Sequence, residues 1–196
     1  MSLSDGYIDV APGKLANVVT CLERRVRPLA RGDSAPGATL HRLGSSDAQE
    51  YRSTFRRIGA PYLWFSRLAL SDAQLTDVLS DPDIETYVVR HEGGNDGFLE
   101  LDFRVDGECE LCFIGVSEKL QGKGYGRWLM DQAAARAWSR PIDRFWLHTC
   151  NLDHARAMDF YVRAGFVPYK RQIEISDDPR VAGLLPLDAA PHIPII

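Results

Sequence analysis

The sequence predicts an α/β fold, and three observations support this prediction. Helix-like and strand-like segments alternate along the 196 residues. Glycine-containing turns at 93–96 and 106–107 join three strand-like segments closely enough to pair them in antiparallel series. A third glycine-rich turn, at 121–126, lies between a strand-like and a helix-like segment. We therefore expect one domain in which helices pack on a sheet.

The first predicted element is an amphipathic helix at 14–27, where apolar residues recur at helical spacing: Leu15, Val18, Val19, Leu22 and Val26. A stretch rich in Gly, Pro, Ser and Ala at 32–38 is typical of a linker. A strand is expected at 39–43. Helices should follow at 46–58, capped by Ser46 or Asp47, and at 71–79, capped by Ser71.

Turn and breaker residues delimit the remaining elements. Strands are expected at 85–90 and 97–104, on either side of the first glycine turn, and at 108–116 after the second. A helix at 126–139 is ended by Pro141, and a strand follows at 143–149. The last elements are a helix at 153–164, ended by Gly165, and a strand at 166–175.

Composition and charge limit the classes of function. With 45% hydrophobic residues, the chain is long enough for one core and short for two. The net charge of −4, with both signs interspersed, predicts neither a nucleic-acid partner nor an anionic membrane. No apolar run approaches the roughly 18 residues of a membrane span, and the start lacks a signal-peptide pattern, so a cytoplasmic location is expected. Cys109 and Cys112 face opposite sides of a predicted strand, so we expect no metal site.

The turn at 121–126, Gln-Gly-Lys-Gly-Tyr-Gly, is the main candidate for a binding site. A glycine-rich turn that opens a helix directs backbone N–H groups and the positive end of the helix dipole at one point, which favours a phosphate. Gly124 stands where a Walker-type loop needs Ser or Thr, which argues against a metal-bound nucleoside triphosphate. The G-x-G-x-G spacing also departs from the dinucleotide fingerprint.

Two motifs in order then indicate a family. The strand from Glu110 to Val116 with Gln121-x-x-Gly124-x-Gly126 resembles the acyl-CoA signature of the GNAT N-acetyltransferase superfamily. Residues 157–166 resemble its later Ala-x-x-Phe-Tyr-x-x-x-Gly-Phe pattern. The resemblance implies the GNAT acyl-CoA N-acyltransferase fold, with a central mixed, mostly antiparallel twisted sheet and helices on both faces. It divides the chain into an N-terminal extension (1–37) with the predicted helix and linker, a GNAT acetyltransferase domain (38–176) and a C-terminal tail (177–196).

The resemblance implies acetyl-CoA as the cofactor. Its pyrophosphate would contact the backbone of the turn and helix start, at Gln121, Gly122, Lys123, Gly124, Tyr125, Gly126 and Arg127. Ile114 and Val116, at a strand end that separates from its neighbour, would pair with the pantetheine arm and supply the N–H that stabilises the oxyanion. Many family members carry Asn seven residues before the helix tyrosine. Here that position is His154, with Asn151 three residues earlier, so either could replace it.

Acetyl transfer from a thioester to an amine needs a base, oxyanion donors and an acid for the departing thiolate. Glu110 is the candidate base, because strand alternation places it on the face of Ile114 and Val116, and its position resembles that of the base glutamate in the histone-acetyltransferase branch. A solvent-facing structural role is the alternative, with Glu108 or Glu100 as the base. By resemblance, Tyr161 would protonate the thiolate; otherwise it is a core residue.

The acceptor is the least determined part. The segment 61–67, Pro-Tyr-Leu-Trp-Phe-Ser-Arg, falls where this fold usually lines the acceptor site, and favours an amine with a carboxylate near Arg67, although core packing explains its aromatics equally well. His148 and Cys150 either touch substrate or are structural. We expect a small-molecule or peptide amine as partner, and an apolar tail that covers this subunit or a second copy in a homodimer. The alternative to an enzyme is a CoA-binding sensor or assembly module.

Overall fold

The computed structural model describes residues 5–29 and 37–196. The described strands are β1 (Lys14–Arg24), β2 (Ala38–Arg42), β3 (Ile84–His91), β4 (Gly94–Asp102), β5 (Glu108–Val116), β6 (Arg144–Cys150) and β7 (Val167–Asp177). The described α-helices are α1 (Ala48–Gly59), α2 (Asp72–Ser80), α3 (Tyr125–Ala137) and α4 (Ala157–Arg163). The strands form one sheet in the order β2-β3-β4-β5-β6-β1-β7. Its pairs are antiparallel except for β5 with β6, which run parallel.

Helices cover both faces of this sheet. On one face, α1 and α2 bury Tyr51, Phe55 and Leu75 against Val88 and Phe98 of the strands. On the other face, α3 buries an apolar stripe against β4, β5 and β6 that includes Leu129, Met130, Ala133, Ala134 and Ala137. The alanines let α3 lie close to the strands because they project little beyond the backbone. The mixed, mostly antiparallel sheet with helices on both faces is thus confirmed.

The predicted helix at 14–27 is wrong, because residues 14–24 form strand β1. β1 lies inside the sheet, between β6 and β7, and alternates in burial: Leu15, Asn17 and Val19 are buried, whereas Ala16 and Val18 are exposed. The same apolar residues fit a helical period, and pairing with strands far along the chain decided between the two. The segment assigned to an N-terminal extension therefore contributes an interior strand of the sheet. The linker expected at 32–38 lies mostly outside the described residues.

The C-terminal tail packs onto its own subunit. Leu185 and Ala190 are buried in the same core as α1, and Ile193 packs against it. The guanidinium of Arg180, itself buried, holds the tail by donating to the carbonyl oxygens of Ala189, Ala190 and Ile193. Asp178 balances its charge, with an Nη2 to Oδ2 distance of 2.7 Å. Burial of the tail against this subunit agrees with one of the two alternatives from the sequence.

Other elements follow the predictions with small shifts. Ser71 caps α2 in a reciprocal capping box with Gln74. Asp47 precedes α1, but its side chain makes no cap hydrogen bond. Helix α4 is shorter than expected because the chain turns at 154–157, where the Arg156 N–H donates to His154 Nδ1. No helix in the described ranges combines the length and apolar content needed to cross a membrane.

Candidate active site

Strands β5 and β6 pair only over their first residues. The pairing runs from Glu108 opposite Arg144 to Glu110 opposite Trp146, whereas β5 continues to Val116 and β6 to Cys150. The far ends of the two strands are therefore separated. Two cavities meet at this gap, because both are lined by Tyr62, Trp64, Ile114, Asp153 and Tyr161. A ligand in one cavity can thus reach a ligand in the other through the sheet.

We name the two cavities by the elements around them. The α3 cleft, about 330 Å³, lies between the end of β5, the start of α3, and α4, and its further lining includes Val116, Gln121, Gly122, Gly124, Gly126, Arg127, Arg156, Phe160 and Arg163. The β1 cleft, about 430 Å³, lies over β1, β6 and the segment 62–67, and its further lining includes Asn17, Arg67, Asp102, Arg104, Glu110, Cys112, His148, Cys150 and Glu174. Both volumes are typical of small-molecule sites.

The turn before α3 has the form that the sequence predicted for a phosphate site. Gly122 and Gly124 have φ values of 72° and 88°, the left-handed region that favours glycine, and Gly124 is the N-cap of α3. A Cβ placed on either glycine would meet nothing within 4 Å, so the backbone faces open space. The first N–H groups of a helix have no partner within the helix, so they are available to an anion.

The predicted cofactor residues divide into two groups. Ile114, Val116, Gln121, Gly122, Gly124, Gly126 and Arg127 line the α3 cleft. Lys123 and Tyr125 do not, and the Tyr125 hydroxyl instead lies 3.2 Å from His91 Nε2. A role for these two residues remains a prediction about their backbone N–H groups. Gln121 fixes one wall of the cleft, because its Nε2 donates to the Tyr62 hydroxyl at 3.4 Å.

The α3 cleft also carries cations that the sequence reasoning missed. Arg156, the N-cap of α4, and Arg163, its last residue, line it together with Arg127. Asp159 is the counter-charge of Arg163 at 3.8 Å, a loose and exposed pair. Arginines near a short helix are common on protein surfaces, so the sequence alone did not mark these two as binding residues. The structure places α4 opposite the glycine turn, and this brings both arginines to the cleft. The arginines add positive charge beside the N-terminus of α3.

Tyr161 lies at the junction of the clefts, as the resemblance implied for the general acid. It lines both cavities, and its side chain is 9% exposed. Burial raises the pKa of the Tyr161 phenol above its ordinary value, and the nearby Asp153 carboxylate acts in the same direction. The group is thus held in its protonated form, as an acid must be before it donates.

Glu110 lies in the β1 cleft, and one premise of its prediction is wrong. Leu111 pairs with Leu101 of β4, but Phe113 pairs with Glu100, so Cys112 is an extra residue, a β-bulge. The bulge reverses the alternation, and Glu110 therefore does not share a face with Ile114 and Val116, which pack on the α3 side. Its carboxylate lies across the sheet from the glycine turn, on the side where a second substrate could enter.

Glu110 forms a pair with His148 in the β1 cleft. Glu110 Oε1 lies 3.4 Å from His148 Nδ1, and their side chains are 24% and 51% exposed. The hydrogen bond to Glu110 raises the pKa of His148 above the ordinary imidazole value, and burial opposes this only in part. The sequence left two alternatives for His148, a structural role or contact with substrate. The structure places His148 in the lining of the β1 cleft, which agrees with the second.

Arg67 and Glu100 are bound to each other, which argues against the separate roles suggested for them. Glu100 is fully buried, and its Oε1 accepts from Nε and Nη2 of Arg67 at 2.9 and 2.7 Å. Its Oε2 accepts from Tyr51 and Thr86. Burial disfavours the charge on Arg67, but the Glu100 carboxylate raises the pKa of the guanidinium. A carboxylate with four such contacts is a poor base, and the paired guanidinium offers little net charge to a substrate.

Asp153 is a further residue that the sequence reasoning missed as part of the site. Its Oδ2 accepts from Thr149 Oγ1 at 2.6 Å and from the Cys150 N–H at 3.1 Å. Its Oδ1 accepts from Trp64 Nε1 at 3.4 Å. These bonds fix Trp64 and the end of β6 at the gap. No sequence signal distinguishes Asp153 from an ordinary turn residue.

A phosphate-type turn and an acidic cleft thus meet at two separated strands, the arrangement that the resemblance to GNAT enzymes implied. The model of the family described as "Acetyltransferase (GNAT) family" matches residues 48–166, more than half of the chain. The protein belongs to this family.

Individual relatives are more distant. Mycothiol acetyltransferase of Jonesia denitrificans is 34% identical over 67 residues, which cover 34% of this chain and 21% of that enzyme. An N-acetyltransferase structure from Sphaerobacter thermophilus aligns with a TM-score of 0.61 at 15% identity, over 85% of this chain and 52% of that one. An aminoglycoside acetyltransferase from an uncultured soil metagenomic sample, in complex with sisomicin, aligns with a TM-score of 0.54 at 15% identity, over 65% and 86%. The structural likeness shows the fold alone.

Proposed function

We propose that this protein transfers an acetyl group from acetyl-CoA to a primary amine by direct attack in a ternary complex. The observation that carries the proposal is the meeting of two clefts of opposite character at the gap between β5 and β6. The α3 cleft, with its glycine turn and arginines, suits the phosphates of CoA. The β1 cleft, with its carboxylates, suits an amine.

In this proposal the chain's own groups move the protons. Glu110, with His148 as its partner, takes the proton that the attacking ammonium must lose, directly or through water. Backbone N–H groups at Ile114–Val116 stabilise the oxyanion. Tyr161 donates its phenolic proton to the thiolate that leaves and regains one, through water, from the nitrogen as the amide forms. The balance is one amide bond formed and one thioester bond broken, with one proton passed from the ammonium through Glu110 to solvent, a second passed from the nitrogen through Tyr161 to sulfur, and CoA released as the thiol.

Enzyme activity is tested by release of free thiol from acetyl-CoA against a panel of amines. Glu110→Gln and Tyr161→Phe should each lower kcat by about 10²-fold or more, the usual contribution of a positioned acid or base, with CoA affinity largely kept. Asp77→Asn, an exposed change on α2 outside both clefts, is the matched control and should behave like the wild type. Tight CoA binding without turnover on any amine would instead favour a CoA-binding sensor or assembly module.

A further inference from the structure

The charges that line the β1 cleft do not cancel. Both of its guanidinium groups are already paired: Arg67 with Glu100, and Arg104 with Asp102, where Arg104 Nε lies 2.9 Å from Oδ2. Three other carboxylates line the cleft, those of Glu110, Asp153 and Glu174, with His148 as the remaining basic group. The cleft therefore favours a cationic ligand, and it disfavours the carboxylate-bearing acceptor that Arg67 suggested from the sequence.

Asn17 supplies an independent sign of a ligand in this cleft. The residue is 3% exposed, and its Oδ1 is buried without a hydrogen-bond partner among the described residues. A buried acceptor that has lost water without gaining a donor is unfavourable, so such a group usually has a partner that is absent from the bare chain. Asn17 lines the β1 cleft, where that partner would be a donor on the bound molecule.

Glu174 stands beside Asn17. The two residues are direct cross-strand partners on β1 and β7, which brings their Cβ atoms to about 5 Å and lets a single ligand group contact both. Within the described residues, Glu174 forms no hydrogen bond or ion pair. A neutral acceptor oxygen next to a carboxylate matches an ammonium group, which brings several N–H donors and a positive charge.

This pair lies at a different part of the cleft from the reacting groups. Asn17 and Glu174 are on β1 and β7, whereas Glu110 is on β5 and Tyr161 is on α4. An acceptor that reacts at the gap would need a second group to reach β7. We propose that the acceptor is a diamine whose unreacted ammonium group is bound by Asn17 and Glu174, an inference that rests on the acetyltransferase function proposed above.

The test compares three acceptors that differ only at the far end: 1,4-diaminobutane, butylamine and 4-aminobutyrate. Thiol release from acetyl-CoA should give a kcat/KM about tenfold higher for the diamine than for butylamine, and lowest for 4-aminobutyrate, because a charge-assisted hydrogen bond is gained in the first and a repulsion in the last. Equal values, or a preference for 4-aminobutyrate, would overturn the diamine inference and leave the acetyltransferase function standing. Absence of turnover on these three amines, with turnover on another amine of the panel, would overturn the diamine inference alone, whereas absence of turnover on the whole panel would overturn both.

Two variants locate the effect. Glu174→Gln should lower kcat/KM for 1,4-diaminobutane about fivefold more than for butylamine, and Asp77→Asn, with the same change of charge outside the clefts, should not alter this ratio. Asn17→Leu should also lose the preference for the diamine while keeping or raising the melting temperature, because it removes an unsatisfied buried polar group. A diamine preference that survives both substitutions would contradict the assignment of these residues.

Discussion

Substitution of Gly124 by Ala separates the two properties of the turn before α3, its backbone conformation and its exposure to the α3 cleft. At φ 88°, an L-residue costs about 1–2 kcal/mol, and a Cβ at this position would project into the open space where the pyrophosphate is expected. The matched control is Gly93→Ala, in the turn between β3 and β4. It has φ 78° and equally open surroundings but lies outside both clefts.

Both variants should therefore lose similar stability, and only one should lose cofactor binding. For a chain of 196 residues, 1 kcal/mol corresponds to a shift in melting temperature of about 2–4 °C, so each variant should melt a few degrees lower. Displacing a phosphate from one charge-assisted N–H contact costs about 1.5–3 kcal/mol, so calorimetric titration of CoA should give a Kd at least tenfold higher for Gly124→Ala only. Equal CoA affinity in the two variants would refute the assignment of the turn.

Three further outcomes are expected. His148 should titrate above the ordinary imidazole pKa of about 6.5 when followed by NMR, and Glu110→Gln should lower that pKa. The value of kcat/KM should rise as the pH increases through the pKa of His148, because the protonated imidazole holds Glu110 in an ion pair. A pH profile that is unchanged in Glu110→Gln would contradict this pairing. Arg180→Leu should lower the free energy of unfolding by about 3–5 kcal/mol in denaturant titrations, because it leaves Asp178 buried and unpaired. The Arg180 guanidinium holds the pKa of Asp178 below its ordinary value, so the stabilisation by this pair is present above about pH 4 and declines as the pH falls. An unchanged unfolding midpoint in Arg180→Leu would contradict this role of the pair. Arg67→Met should lower the free energy of unfolding by a comparable amount, because it leaves the buried carboxylate of Glu100 without its cationic partner. A variant with full stability and only a raised KM for the acceptor would instead support a substrate-binding role for Arg67.

Much of the fold was accessible from the sequence because turn chemistry is local. The glycine turns between β3 and β4 and before β5 fixed three antiparallel strands in series, and Ser71 marked the start of α2. β1 was not accessible, since its apolar residues fit both a helical and a strand period. Only its pairing with β6 and β7, more than 120 positions along the chain, decides between them.

The candidate site divides in the same way. The glycine turn and Tyr161 carry sequence signatures, because a left-handed backbone needs glycine and the aromatic stands in a motif. The orientation of Glu110 depended on a bulge at Cys112, which has no signature in a single sequence. Asn17 and Glu174 come together only through the register of β1 with β7. Because the sequence predicted a helix where β1 lies, this end of the β1 cleft could not be inferred from it.

The central claim is that acyl transfer takes place through the gap between β5 and β6. A crystal structure with bound CoA tests it most directly. We predict the pyrophosphate against the backbone of 122–127, the pantetheine arm along the free end of β5, and the thiol sulfur within about 4 Å of the Tyr161 hydroxyl. CoA bound elsewhere on the protein, or a sulfur that does not reach the gap, would contradict the account.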